Sequence, residues 1–217
     1  MNVTRDFVDW TSEKQCMAVV KALQKNEFAA SYCSSSQAAF DYIVTEARAA
    51  TTIGLGGSRS VADLKVVERL EQMGKEILVS KGPGVTPEQG LEIRRRQQTC
   101  DLFLCSANAV TLSGYLVNID NTGNRTGAMM FGPRKVILVV GRNKIVTGTI
   151  DDAIWRIKYQ AAPPNARRLK YKTPCAKTGF CSDCSAPQRI CRIITIMERK
   201  PARTDVRVLM LNEDLGF

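Results

Sequence analysis

The chain has 217 residues, 44% of them hydrophobic and 24% charged, enough apolar side chain for a domain with its own core and too much for an intrinsically disordered chain. It contains no histidine, which excludes a Ser-His-Asp triad, a Cys-His nucleophile and any histidine-ligated metal. Its net charge of +10 is gathered late in the sequence: between Arg156 and Arg203 twelve lysines or arginines face two acids, Asp183 and Glu198.

Taken in chain order, the first fifteen residues mix acids, bases and apolar residues without the basic and apolar regions of a signal peptide. From Arg5 to Lys25 the apolar residues recur at helical spacing. Phe28 to Cys33 reads as a strand, followed by a helix that Ser35 or Ser36 can cap. Thr51 to Leu55 is a second strand, closed by glycines, with a helix from Ser58 or Ser60 through Leu70. Glu76 to Ser80 is a strand, and Thr86-Pro87-Glu88-Gln89 starts another helix with proline in its first turn. Asp101 to Cys105, Tyr115 to Ile119 and Lys135 to Val140 read as strands, the last apolar enough to be covered on both faces. Thr149 caps a helix expected to end near Tyr159 at the AAPPN stretch, and Asp205 to Leu211 is a final strand. No apolar run approaches the roughly 20 residues needed to cross a bilayer. The expectation is a cytoplasmic protein, neither secreted nor membrane-spanning, whose eight cysteines are thiols or metal ligands rather than disulfides.

Strands alternating with helices predict an α/β fold of three layers, a mostly parallel sheet with helices on both faces, plus a C-terminal cysteine-rich module. The expected division is an α/β domain over 1–170, a basic cysteine-rich module over 171–204, and a final strand in 205–217 that returns to the domain.

Three groups of residues carry chemistry. In TTIGLGGSRS the glycines Gly54, Gly56 and Gly57 let backbone amides approach a ligand, and Ser58 and Ser60 open a helix whose N-terminus favours an anion. The pattern is neither a Walker loop nor a dinucleotide fingerprint, and a plain turn would also use it. After the strand at 115–119, Asn118, Asp120, Asn124 and Arg125 gather acceptors, amides and a guanidinium. Arg125 suits a carboxylate, Lys144 adds a second positive charge and Asp120 suits a base, although the same residues also build self-bonded turns. Finally Cys175, Cys181, Cys184 and Cys191 are spaced C-x5-C-x2-C-x6-C. Four thiolates hold either an iron-sulfur cluster or zinc; one compact loop, without the two separated pairs of a zinc ribbon, favours a [4Fe-4S] cluster. Cys16, Cys33, Cys100 and Cys105 lie on apolar elements and read as core.

The glycine loop resembles the first strand loop of the NagB/RpiA/CoA-transferase-like proteins. Residues 106–146, SANAVTLSGYLVNIDNTGNRTGAMMFGPRKVILVVGRNKIV, resemble the signature of the LUD (lactate utilisation) family, and DDAIWRIKYQAAPPNARRL, PCAKTGFCSDCSAPQRICR and LNEDLGF extend the likeness over most of the chain. The resemblance implies the NagB/RpiA/CoA-transferase-like fold. It also implies a part in oxidising L-lactate to pyruvate, as one component, with partner proteins, of an iron-sulfur system. A small anionic ligand, carboxylate or phosphate, fits the basic residues. Nucleic acid does not, because no basic stretch interleaves with stacking aromatics. The alternatives are an isomerase or transferase acting on a phosphosugar or thioester, with Asp120 as its base, and a non-catalytic ligand-binding or regulatory protein with structural zinc.

Overall fold

The computed structural model describes residues 3–217, with side chains from residue 7 onward. In chain order its elements are α1 (Val3–Lys25), β1 (Ala29–Cys33), α2 (Ser36–Glu46), β2 (Thr52–Leu55), α3 (Arg59–Asp63), α4 (Val66–Gln72), β3 (Glu76–Leu78), α5 (Pro87–Gln97), β4 (Leu102–Cys105), β5 (Ala109–Thr111), β6 (Leu116–Asp120), α6 (Asn124–Met130), β7 (Lys135–Gly141), β8 (Ile145–Val146), α7 (Ile150–Arg156), α8 (Ala162–Arg168), α9 (Pro174–Thr178), β9 (Ile193–Met197) and β10 (Asp205–Leu211).

Local chemistry explains most boundaries. Ser35 caps α2 by accepting the Ala38 amide at 3.2 Å. Thr86 with Gln89, and Thr149 with Asp152, form reciprocal capping boxes at the starts of α5 and α7, each worth on the order of 1 kcal/mol. On α1, Cys16, Val19, Val20 and Leu23 are buried, the i, i+3, i+4, i+7 stripe of a helix lying on a core.

The central sheet is wholly parallel, in the order β1-β10-β7-β4-β2-β3. Alternate residues of its middle strands enter different cores: Val136, Leu138 and Val140 of β7 join Phe103, Cys105 and the α1 stripe, whereas Ile137 and Val139 join Leu102, Leu104, Ile43 and Leu70. A strand whose two faces are both buried has to be apolar at every position. The result is a parallel sheet flanked by helices on both sides.

Four details differ from the sequence expectation. The strand at 115–119 forms, as β6, but it joins a second sheet, β8-β5-β6-β9, in which it runs antiparallel to β5 and β9. The helix expected from Ser58 to Leu70 is two helices, broken at Lys65 with φ of 52°; a straight helix would turn Val66 and Leu70 together away from the face of Val61 and Leu64, and the left-handed residue brings all four into one core. The prolines at 163 and 164 do not stop the helix begun at Thr149. A π turn over Ile157–Ala161 leads into α8, and both prolines fall in its first turns, where a missing amide costs least. The cysteine-rich stretch is not a distinct module: β9 pairs with β6, and Cys191 packs against the core of Val117, Ile119, Ala153 and Ile157. Among the described residues no helix is long and apolar enough to cross a membrane.

Candidate functional site

The loops after β2, β4, β7 and β10 all leave the same edge of the parallel sheet, the edge at which ligands bind in open α/β sheets. Lys144 ties them together. Its ammonium donates to Ser60 Oγ at 2.7 Å and to Ser106 Oγ at 2.8 Å. Ser60 in turn donates to the Leu215 carbonyl at 3.1 Å, and Ser106 to that of Ala107 at 3.0 Å. Lys144 is only 4% exposed. Burial first, then the nearby Arg156 and Arg125, push its pKa down to about 7, because removing a charge from water disfavours the charged form. Among the described residues no carboxylate forms a salt bridge with it.

Arg125 lies beside this group, but its fork is turned inward. One terminal nitrogen donates to the Ser106 carbonyl at 2.7 Å and to Asn118 Oδ1 at 2.9 Å; the other donates to Asn108 Oδ1 at 2.9 Å and to the Ile119 carbonyl at 3.2 Å. Its Nε stands 3.5 Å from Asp120 Oδ1. The guanidinium therefore clamps the end of β6 to the loop after β4, and the free fork expected for a ligand carboxylate is already engaged within the protein. Arg156 does similar work, donating to the carbonyls of Asn143 and Asn108; burial pulls its pKa down to about 10.

The glycines divide by role. A Cβ on Gly54 would lie 2.8 Å from the Phe103 ring, and one on Gly56 would lie 2.8 Å from Cys105 Cβ and 3.2 Å from Arg125 Cγ. Both are small because the protein packs against them, and not because a ligand does. Gly57 differs: it has φ of 68° and open space where a Cβ would point. Ser58 uses its hydroxyl to cap α3, accepting the Val61 amide at 3.3 Å, and α3 has only five residues, too few for a substantial helix dipole. Asn124 opens α6 after Gly123, and its carbonyl accepts from Gln98.

Arg125 and Gly56 do adjoin, as expected for one site, but for a different reason. β6 is not a strand of the parallel sheet, and it is α6 that delivers Arg125 to the glycine loop. Two polar atoms there, Asn118 Nδ2 and Asp120 Oδ2, are buried without a hydrogen-bond partner among the described residues. Asn118 is wholly buried, and both residues share one face of β6. Sequence reasoning passed over Ser106, Asn108 and Arg156. The signal for the first two is their place directly after a wholly buried strand, and for Arg156 its place between Ala153 and Ile157 on a buried helix face. Burial pushes the Cys105 thiol up to about 12, so it stays protonated.

The second centre is the cysteine loop. Cys175 is on α9, which ends at Gly179 with φ of 81°, and Cys181, Cys184 and Cys191 follow on irregular chain. All four line one cavity, with Lys158 and Arg189 in its wall. Arg189 shapes the loop from within, donating to the carbonyls of Cys184 and Cys191 at 2.5 and 2.6 Å and to Asp183 at 2.8 Å. The Asp183 amide points at Cys181 Sγ, 3.5 Å away. All four thiols are free. Among the described residues no three cysteines or acids are arranged to hold a single metal ion.

A family model described as the LUD domain matches residues 16–211, a span that holds both centres. The chain belongs to the LUD-domain family. A comparison with curated proteins gives no match. The crystal structure of a DUF162 family protein from Deinococcus radiodurans is similar over 92% of this chain and 98% of its own, with 13% identity and a TM-score of 0.47. Within the LUD domain, then, the polar centre lies at the carboxyl edge of the parallel sheet, and the cysteine loop lies against its second sheet.

Proposed function

We propose that this LUD-domain chain is a component of an L-lactate-oxidising system, binding a small carboxylate at the polar centre and a [4Fe-4S] cluster on Cys175, Cys181, Cys184 and Cys191. The observation that carries the reading is the shared cavity: four free thiols, spread over seventeen residues, line one space walled by Lys158 and Arg189. Tetrahedral zinc would draw four sulfurs to about 2.3 Å from one point, whereas a cluster spreads them over several irons. The compact C-x5-C-x2-C-x6-C spacing, without the two separated pairs of a zinc ribbon, favours the cluster. When bound, such a cluster supplies one-electron transfer. The protein's own residues set its surroundings: Arg189 fixes the backbone at Cys184 and Cys191, the Asp183 amide faces a sulfur, and the cations offset the thiolate charge.

At the polar centre Arg125, Arg156 and Lys144, the last charged only below its pKa of about 7, are buried near Asp120 and Asp63, and the local excess is positive and favours an anion when Lys144 is protonated. Lys144 and the unpartnered Asn118 Nδ2 offer donors, Gly57 offers an open approach, and Asp120 Oδ2 offers an acceptor suited to the hydroxyl of a 2-hydroxy acid. Arg125 acts here as a positioning residue. Partner proteins have a surface available beside the cysteine loop, where edge strand β9 exposes Ile193, Ile194 and Ile196. Anaerobic purification tests the reading. The protein should be brown with about four irons per chain, and Cys181→Ser or Cys184→Ser should abolish the iron; stoichiometric zinc without iron, from iron-replete cells, would overturn the cluster and leave a metal site.

A further inference from the structure

The two centres are adjacent. Cys191 is the last thiol before β9, and β9 pairs with β6, which ends at Asp120. Ile193 stands opposite Asp120, and the Arg192 amide donates to the Asp120 carbonyl at 3.0 Å. A second element joins them: Arg156 at the end of α7 reaches the carbonyls of Asn143 and Asn108 beside Lys144, while Lys158, two residues later, lines the cysteine cavity. Between the centres Cys191 packs against the apolar cluster of Val117, Ile119 and Ile157, which screens charge less than water does. One strand spacing plus two residues of chain puts the Asp120 carboxylate on the order of 10 Å from a cluster on Cys191.

We propose that the two centres form one electrostatically coupled site, in which a small carboxylate held beside Asn118, Asp120 and Lys144 favours the oxidised state of the cluster. This rests on the iron-sulfur reading above. Reduction adds one negative charge to the cluster, and an anion about 10 Å away opposes it. With an effective dielectric constant near 20 the reduction equilibrium moves on the order of tenfold. Coupling is reciprocal, so the oxidised protein binds the carboxylate more tightly by the same factor. Asp120 exerts the same pressure in the absence of ligand, moderated by Arg125.

The test uses the full chain, purified anaerobically with its iron counted, and titrated with dithionite as the electron source while the reduced cluster is followed by electron paramagnetic resonance. At matched ionic strength, L-lactate in place of chloride should lower the ratio of reduced to oxidised cluster at a given poise on the order of tenfold. Asp120→Asn, which keeps the side-chain shape, should raise that ratio with no lactate present. A full complement of iron with neither shift overturns the coupling alone, and protein without iron overturns the coupling together with the cluster reading beneath it.

Discussion

The polar centre and the cysteine loop are built in opposite ways. The first draws Gly56, Ser60, Ser106, Asn118, Arg125 and Lys144 from five segments of chain and buries nearly all of them, with most donors and acceptors satisfied inside the protein. The second takes four thiols from positions 175 to 191, each only partly buried, with the Thr173 hydroxyl beside Cys175 and the Asp183 amide beside Cys181. A buried network is part of the fold, and damage there costs stability as well as function. A half-exposed loop at the edge of the second sheet is separable from folding.

Mutations can break or sharpen that contrast. Gly56→Val should have the largest effect on the fold, since even its first side-chain carbon would stand 2.8 Å from Cys105 Cβ; the expected cost is about 3 kcal/mol or more, seen as insoluble or unfolded protein. Ligand loss in a folded Gly56→Val protein would contradict this and return the loop to a ligand-approach role. Arg125→Lys should cost about 2 to 3 kcal/mol in urea unfolding, because a single ammonium cannot reach the four acceptors the fork now serves and leaves buried oxygens unpaired.

Lys144 gives a pH signature of intermediate size. Its folded pKa of about 7 lies below the ordinary 10.5, so between these values the unfolded chain binds more protons and stability rises with pH. The cost is fully present below pH 7 and has disappeared above 10.5. Burial raises the thiols of Cys16, Cys33 and Cys100 to about 11, which works the other way above pH 9, so the clean window is pH 7 to 9. There the wild type should gain on Lys144→Met by up to about 1.4 kcal/mol per pH unit; parallel stability curves for the two proteins would show that Lys144 carries no such shift. The smallest effect on the fold is expected from Cys184→Ser in metal-free protein, within about 0.5 kcal/mol of wild type by urea unfolding. A large loss there would mean that the loop, like the polar centre, belongs to the folding core.

Legibility followed the same division. That the four cysteines share one cavity could be anticipated because they are close in sequence. The parallel strands were equally visible, since β7 must be apolar at every position to be buried on both faces. The capping boxes at Thr86 and Thr149 likewise speak through residues three apart. Ser106, Asn108 and Arg156 gave no comparable sign, because each matters only through partners tens of residues away.

Local sequence therefore determined the alternation of strands and helices, the helix starts and the four-cysteine loop, all of which depend on neighbours within a few residues. Tertiary structure decided that β6 leaves the parallel sheet, that Lys65 breaks a helix so that Val66 can reach the core, and that a π turn carries a helix through two prolines. It also decided that Arg125 clamps β6 to the β4 loop instead of waiting for a ligand, and that β9 sets Cys191 beside Asp120. The physical reason is common to all of these: strand register and the filling of a core by distant side chains are long-range constraints, and they override local preference wherever burial is worth more than propensity.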